Sequence, residues 1–254
     1  MKMKVKTLAC LCALAAAPAF GTTPAVESAN TFGVLKVTCS AQKVIIATPW
    51  VKCGDATAAV KVTDLVMTSG LENGDAILVY QGDGFKSWVI SGGAWSPVAV
   101  SEAGQTVSSG DAASAAIARG QAFWFVKKTF TAGGTYPLYL YGQDATNTVY
   151  STIADGSSST PAYSLVASPT ISSTGTNDVN AATFNFTPNA ADEIRVPRHN
   201  LPDLIYTFKD GQWGTSVKTK VGSVYKKMWT AGCMIPAGTG FWYVSYGGSG
   251  TITW

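Results

Sequence analysis

The chain repeats a set of short sequence signals in the same order, and this repetition constrains the fold more than any other feature. The segment 45–49, Ile-Ile-Ala-Thr-Pro, returns at 165–169 as Leu-Val-Ala-Ser-Pro. The segment 117–126 ends in Phe-Trp-Phe-Val, and its counterpart at 235–244 ends in Phe-Trp-Tyr-Val. Because chance matches would not be expected to keep this order, we interpret the chain as a tandem duplication.

Short runs of β-branched and aromatic residues, separated by turn pairs, occur along the chain. The runs 34–38 and 43–47 flank a polar segment and predict a hairpin. Turn pairs such as Asn73-Gly74 and Gly247-Gly248 separate later runs. No segment keeps an apolar period of 3.6 residues. The sequence therefore predicts an all-β fold made of two tandem, internally duplicated β-sandwich or barrel-like modules.

The positions of the repeats set the predicted domain boundaries. Module 1 covers residues 30–142 and module 2 covers residues 161–254. Each contains about 100 residues, which is an ordinary domain size. The intervening segment 143–160 is rich in Ser, Thr, Gly and Asp, so we expect a linker or a long loop there.

Aspartates recur at equal spacing in the two copies. Aligning the copies on this spacing gives three equivalences: Asp64 with Asp192, Asp75 with Asp203, and Trp88 with Trp213. Aspartate at a strand end commonly accepts hydrogen bonds within a turn. We favour this role for the four aspartates, and calcium ligation or carboxylate pairing is the alternative.

The N-terminus has the pattern of a secretory signal peptide. A short apolar run extends from Leu8 to Ala17, and residues 17–19 are Ala-Pro-Ala, which suits cleavage. The basic residues ahead of this run are Lys2, Lys4 and Lys6. The run is shorter than the roughly 20 residues of a membrane span. We therefore predict a signal peptide at 1–19, no transmembrane helix in the mature chain, and an extracellular, cell-surface or periplasmic location. Lipid attachment at Cys10 is the alternative.

The charge balance argues against nucleic acid as a partner. The chain has 18 Lys and Arg against 15 Asp and Glu, and loss of the three signal-peptide lysines leaves 15 against 15. Nucleic-acid-binding domains instead carry a basic patch or stripe. The partner is unknown from sequence, and surface polysaccharide or other envelope proteins are the classes we consider.

Three cysteines remain after removal of the signal peptide, and export permits disulfides. These disulfide candidates are Cys39, Cys53 and Cys233. Cys53 pairs either locally with Cys39 or across the halves with Cys233, and the odd number leaves one thiol over. With no C-x-x-C spacing and one histidine in the chain, we expect no metal and no cofactor.

The repeated aromatic strand has large side chains on both faces. Alternation places Phe123 and Phe125 on one face and Trp124 on the other, and segment 241–243 repeats this arrangement around Trp242. A sandwich interior on one side and a covering loop or partner module on the other would explain it. The alternative is that tryptophans serve as stacking platforms for sugars. The candidate ligand-binding residues are Trp88, Trp95, Trp124, Trp213 and Trp242.

Several of these motifs together resemble a class of bacterial modules. The strand at 165–169, the Asp-Gly-x-Trp turn at 210–213 and the Ile-Pro-x-Gly-x-Gly-Phe-Trp strand at 235–242 carry the resemblance. It is to β-rich modules of secreted and surface proteins with a W-N-L-I/V-x-x-P-like opening strand. Tyr163-Ser164 replaces the W-N pair. The resemblance implies an exported β protein, and it brings no catalytic residues with it.

Taken together, these patterns favour a secreted or cell-surface, non-enzymatic protein with a structural or adhesive role. A carbohydrate-binding protein is the alternative. An extracellular hydrolase is third, because His199 lies in a Pro-flanked loop and Asp83 lies near aromatic residues. A local function is expected where the copies differ, in segments 81–116 and 195–202.

Overall fold

Strands account for 67% of the residues described in the computed structural model, and these residues contain no α-helix. The all-β prediction is therefore confirmed. The structure describes residues 32–47, 50–51, 60–68, 71–81, 84–102, 105–111, 116–117, 120–144, 150–168, 176–198, 201–221, 224–236 and 239–253. The predicted signal peptide, Cys53, Asp83 and His199 lie outside these ranges.

The strands are numbered β1 to β24 along the chain. The first half contains β1 (Phe32–Cys39), β2 (Lys43–Ala47), β3 (Trp50–Val51), β4 (Val60–Lys61), β5 (Val66–Thr68), β6 (Ala76–Tyr80), β7 (Phe85–Ser91), β8 (Ala94–Pro97), β9 (Val100–Glu102), β10 (Gln105–Ser109), β11 (Ala116–Ile117), β12 (Ala122–Val126) and β13 (Tyr136–Asp144). The second half contains β14 (Tyr150–Gly156), β15 (Ala162–Ala167), β16 (Thr176–Asp178), β17 (Thr183–Phe184), β18 (Glu193–Arg198), β19 (Leu201–Lys209), β20 (Gln212–Val221), β21 (Val224–Ala231), β22 (Met234–Pro236), β23 (Gly240–Ser245) and β24 (Gly248–Thr253). Short 3-10 turns lie at Val62–Asp64 and Val179–Ala181.

The first half is a sandwich of two main sheets. One has the order β2-β12-β6-β7-β10-β9, with β8 on β7, and the other has the order β1-β13-β3, with β5 on β13. Apolar side chains from both sheets meet in one core. Its largest fully buried members include Trp88, Phe123, Phe125, Leu138 and Leu140. Alternation along β12 directs both phenylalanines into this core.

The second half is built in the same way. Its larger sheet has the order β15-β23-β18-β19-β20-β21, and β14-β24-β17 forms the smaller sheet. The second core includes Ile153 from the smaller sheet and Trp213, Phe241 and Tyr243 from the larger one. In both halves, the central aromatic strand therefore faces a sandwich interior.

Strand register defines which residues of the two halves correspond. In the first half, Trp124 lies opposite Ile45, and Ile77 lies opposite both Phe125 and Trp88. In the second half, Trp242 lies opposite Leu165, and Ile194 lies opposite both Tyr243 and Tyr206. The strand orders β2-β12-β6-β7 and β15-β23-β18-β19 therefore match residue by residue at these positions.

This register corrects the predicted equivalence of Trp88 and Trp213. Trp88 corresponds to Tyr206, whereas Trp213 corresponds to Trp95, because Ile90 pairs with Trp95 and Phe208 pairs with Trp213. The hairpin turns agree, since Gly92, Gly93, Asp210 and Gly211 all have positive φ, as expected of tight β-hairpin turns. The sequence alignment was displaced by one hairpin, because it matched Asp210-Gly211 with Asp83-Gly84, whereas the corresponding turn of the first half is Gly92-Gly93.

The predicted pairing of the aspartates is wrong for the same reason. Asp75 and Asp192 each lie fully buried directly before a corresponding strand, β6 and β18. Asp75 accepts backbone hydrogen bonds from Glu72 and Lys128, both at 2.9 Å. Asp192 accepts the equivalent bonds from Asn189 at 2.9 Å and Tyr246 at 2.8 Å. Asp75 therefore corresponds to Asp192, and both have the predicted turn role.

The segment 143–160 contains a strand where we expected a linker or loop. Its residues 150–156 form β14, which pairs with β24. Ile153 is buried in the second core, and the Ser151 hydroxyl donates to the Gly120 carbonyl at 3.0 Å. Small polar residues gave this segment a linker-like composition, although strand pairing and one buried isoleucine hold it in the fold.

Two of the three disulfide candidates are free thiols. Cys39 is 1% exposed in the first core, and Cys233 is 0% exposed in the second. Both behave as small apolar core residues.

Among the described residues, no helix is long and apolar enough to cross a membrane.

Candidate functional site

The two halves meet along equivalent strands, and we call this contact the seam. Ile46 bridges to Thr239, and Gln121 bridges to Val166. Register makes Ile46 the counterpart of Val166, and Gln121 the counterpart of Thr239. The two bridges are therefore reciprocal, and they relate the halves by an approximate two-fold axis.

The centre of the seam is apolar and tightly packed. Buried side chains from both halves form it, namely Ile45, Ala47, Ala122, Leu165 and Ala167. A Cβ added at Gly240 would overlap side-chain atoms of Ile45 and Ala122. Small residues at this point allow the strands to approach closely. The seam accounts for the second apolar face of β12 and β23 that the sequence predicts.

One end of the seam, which we call the closed end, is filled by aromatic rings around Trp242. The ring centroid of Trp242 lies 5.7 Å from that of Tyr80, 6.1 Å from that of Phe85 and 6.3 Å from that of Tyr163. All three contacts are edge-to-face, which is a favourable geometry for aromatic pairs. Tyr80 and Phe85 come from the first half, so this end of the seam is packed with side chains from both halves.

The opposite end, which we call the open end, has Trp124 in place of Trp242. A cleft of about 590 Å³ opens beside its half-buried ring. Strands β1 and β2 line one wall of the cleft; they pair with β13 and β12 in different sheets, so the hairpin predicted from runs 34–38 and 43–47 is not formed. The β18–β19 hairpin together with Met234 and Pro236 forms the other wall. The cleft volume lies within the range of small-molecule sites, about 300–1,000 Å³.

Three substitutions explain why one end is closed and the other open. By register, the positions of the three rings around Trp242 are occupied at the open end by other residue types: Tyr163 corresponds to Lys43, Tyr80 to Pro197, and Phe85 to Asp203. Two of the replacements are charged and none is aromatic. The two ends have the same strand register, so the cleft arises from side-chain differences between the halves.

Lys43 is held over the Trp124 ring. Its ammonium nitrogen lies 4.9 Å from the ring centroid and 3.1 Å from Oε1 of Glu102. Both side chains of this ion pair are about a third exposed or less, at 33% and 25%. A cation above an indole face is a favourable contact. Lys43 is therefore fixed at the floor of the cleft by a ring and a carboxylate.

Arg198 lines the other wall. Its Nε and Nη2 donate to the Pro202 carbonyl at 2.9 and 2.8 Å. No carboxylate partner of Arg198 lies among the described residues. The cleft lining contains two cationic residues, Lys43 and Arg198, and no Asp or Glu. Each wall of the cleft therefore carries one cationic side chain, and that of Lys43 is paired with Glu102.

Cys39 also lies in the cleft wall, but its thiol is not suited to nucleophilic chemistry. Burial raises the pKa of the Cys39 thiol from 9.0 to about 11, and a side-chain hydrogen bond with Tyr136 lowers it by less. The thiol is therefore protonated near neutral pH, whereas the thiolate is the nucleophile.

The structure separates the five candidate tryptophans into different environments. Trp88 and Trp213 are 0% and 1% exposed, so they are core residues and cannot stack on a ligand. Trp95 is half-buried and packs against the first core. Trp242 is half-buried at the closed end. Of the five, Trp124 alone lines the cleft.

Lys43 and Arg198 were not among the predicted site residues. Lys43 lies in a strand that otherwise reads as apolar core, and its relation to Trp124 depends on register. Arg198 lies in segment 195–202, which the sequence did single out as a difference between the copies. Charge alone would not have found them, since both are isolated cations in the sequence.

Among the described residues, no group of three or more His, Cys, Asp or Glu side chains is arranged to hold a metal ion.

Comparison with protein-family models, curated proteins and solved structures finds no match to the chain.

Proposed function

We propose that this chain is an exported, secreted or cell-surface protein with a non-enzymatic interaction role, built from two tandem β modules. The seam asymmetry carries this proposal. Two corresponding ends share one backbone arrangement, yet one is filled by rings and the other holds an open cleft beside Trp124. A ligand site in one copy only is what duplication followed by divergence would leave.

The chemistry of the cleft favours binding over catalysis. Its walls supply apolar surface, hydroxyls such as those of Thr38 and Ser40, and two cations. These groups hold and orient a ligand, and the thiol of Cys39 is protonated. The resemblance to surface modules of exported bacterial proteins points in the same direction.

Carbohydrate binding through Trp124 is the second candidate function, and one observation favours it. Trp124 is half-buried, fixed by the seam and placed beside a cleft that contains hydroxyl groups. Sugar rings present C–H groups to aromatic surfaces and hydroxyls to polar ones, so this combination suits them. None of the other four candidate tryptophans lines this cleft.

A glycan array, followed by titration of tryptophan fluorescence, tests this function. Trp124→Ala is expected to abolish saccharide binding because it removes the cleft wall. Trp242→Ala is the matched control, since it removes the corresponding ring at the closed end and should leave binding in place. Circular dichroism melts of both variants establish that they fold.

Two results would contradict the proposal. Saccharide binding that survives Trp124→Ala, or that is lost equally in folded Trp242→Ala, would remove the cleft from the mechanism. Turnover on a panel of polysaccharides and peptides, abolished by Asp83→Asn or His199→Ala, would replace the interaction role with a hydrolase.

A further inference from the structure

The open end of the seam places two cationic side chains on opposite walls of one cleft. We propose that this cleft binds an acidic saccharide, a sugar ring carrying a carboxylate, and this inference rests on the carbohydrate-binding function proposed above. Lys43 and Arg198 bind the carboxylate, and the apolar wall beside Trp124 receives the ring. Glu102 binds no ligand and serves to hold Lys43 in place.

The position of Lys43 argues against a neutral sugar stacked flat on Trp124. The ammonium group already lies over the ring, 4.9 Å from its centroid. A neutral ring on that face would have to displace the ammonium and lose a favourable cation–π contact. A carboxylate needs no such displacement, because it binds the ammonium where it lies.

Lys43 keeps hydrogen-bonding capacity for a ligand. Its ammonium has three donors, and one is directed to Glu102 at 3.1 Å. The ion pair is only partly exposed, so water screens it less than it would screen a surface pair. Lys43 is therefore an ordered cation with donors remaining for an incoming carboxylate.

Arg198 supplies the second contact and the geometric selectivity. The guanidinium has five N–H donors, and the Pro202 carbonyl accepts from Nε and Nη2. The remaining donors form a planar group suited to a carboxylate. Because the side chain is exposed and tied to its own hairpin, it meets a ligand without breaking a salt bridge.

The apolar part of the cleft matches the less polar face of a sugar. Leu204 and Met234 lie in the wall formed by the second half, and Val44 and Ile45 lie in the wall formed by the first. The cleft volume of about 590 Å³ accommodates a disaccharide unit. A sugar ring placed between these walls would contact their apolar side chains. Its carboxylate would then lie between the two cations.

Isothermal titration calorimetry with matched disaccharides tests the inference. Digalacturonate and galactobiose have the same ring skeleton and differ in the carboxylates. We expect digalacturonate to bind at least about tenfold more tightly, because its carboxylates accept charge-assisted hydrogen bonds that galactobiose cannot form. We also expect this preference to weaken as salt is raised.

Variants assign the effect to the cleft. Arg198→Gln is expected to weaken digalacturonate binding by about tenfold and to leave galactobiose binding unchanged. Lys209→Gln is the matched control, because Lys209 is exposed and lies near Asp210, away from the cleft. Equal effects of the two substitutions would show that general positive charge, and not this site, attracts the ligand.

The outcomes distinguish this inference from the function on which it rests. Equal affinity for the acidic and neutral disaccharides would overturn the acidic preference while leaving carbohydrate binding standing. Absence of binding to a full panel of acidic and neutral saccharides would overturn both.

Discussion

The two ends of the seam have the same backbone arrangement and opposite surfaces. At the closed end, Tyr80, Phe85 and Tyr163 surround Trp242 and fill the contact between the halves. At the open end, Lys43 lies over Trp124 beside a cleft. The comparison shows that the same strand register accommodates a packed aromatic contact at one end and a cleft at the other.

A second comparison concerns the buried aspartates that stabilise the corresponding turn in each half. Asp75 bonds to the Lys127 ammonium at 2.8 Å, whereas Asp192 accepts from the Tyr243 hydroxyl at 2.7 Å. Burial and the hydrogen bond to Asp192 both raise the pKa of Tyr243, so its hydroxyl stays protonated and donates. The corresponding turns are thus stabilised by an ion pair in the first half and by a hydrogen bond from a hydroxyl to a carboxylate in the second.

The largest expected effect follows from removing these aspartates. Asp75→Ala should lower the free energy of unfolding by about 3 kcal/mol or more. Two backbone N–H groups lose their acceptor, and the Lys127 ammonium loses its buried carboxylate partner and keeps only the more exposed Glu72. Asp192→Ala should cost about 3 kcal/mol, because the Tyr243 hydroxyl and two backbone N–H groups lose their acceptor. Urea unfolding measures both changes.

Asp203→Ala is the matched control for this prediction. Asp203 is exposed, and the sequence alignment had paired it with Asp75. We expect its substitution to change stability by no more than about 0.5 kcal/mol. A cost for Asp203→Ala as large as that for Asp75→Ala would contradict the register-based correspondence of the halves.

A smaller effect is expected at the centre of the seam. Gly240→Ala should cost about 1–3 kcal/mol, because the added methyl group overlaps Ile45 and Ala122 in a packed contact. Ile45→Ala removes part of the obstruction, so the double variant should be more stable than the sum of the single changes predicts. Additive costs in thermal or urea unfolding would mean that the halves do not meet as closely as the structure places them.

The sequence predicted the all-β class and the alternation of the aromatic strands, because both depend on local patterns. Phe123 and Phe125 face a core, and Trp124 faces the other half. Segment 143–160 was misassigned because Ile153, its one buried apolar residue among the described side chains, is too weak a signal among polar neighbours. The equivalence of Trp88 and Trp213 failed because turn dipeptides recur, whereas only strand pairing fixes register.

The proposed binding site was predictable only in part. Trp124 could be named because its strand is repeated, and segment 195–202 because the copies differ there. The cleft itself depends on which residues stand opposite Trp124 after the halves meet. Lys43 and Tyr163 occupy corresponding positions, yet that correspondence appears only when β2 and β15 are compared within the folded seam.

A smaller change in stability than at Gly240 is expected from exchanging the residues at positions 43 and 163, which correspond at the two ends of the seam. Tyr163→Lys removes one edge-to-face contact with Trp242, and Tyr163 is already 42% exposed. We therefore expect a loss of only about 0.5–1.5 kcal/mol in thermal unfolding. Lys43→Tyr should leave stability within about 1 kcal/mol, since an aromatic contact with Trp124 replaces the cation–π contact and the ion pair with Glu102.

The same exchange should affect binding in opposite ways, and this sharpens the distinction between the two ends. Lys43→Tyr places a ring over Trp124 as at the closed end, so binding of acidic disaccharides should be lost in a protein that remains folded. Tyr163→Lys leaves the cleft intact and should leave binding unchanged. If Lys43→Tyr binds as well as the parent protein, the ammonium over Trp124 has no part in recognition, and the difference between the ends is one of packing alone.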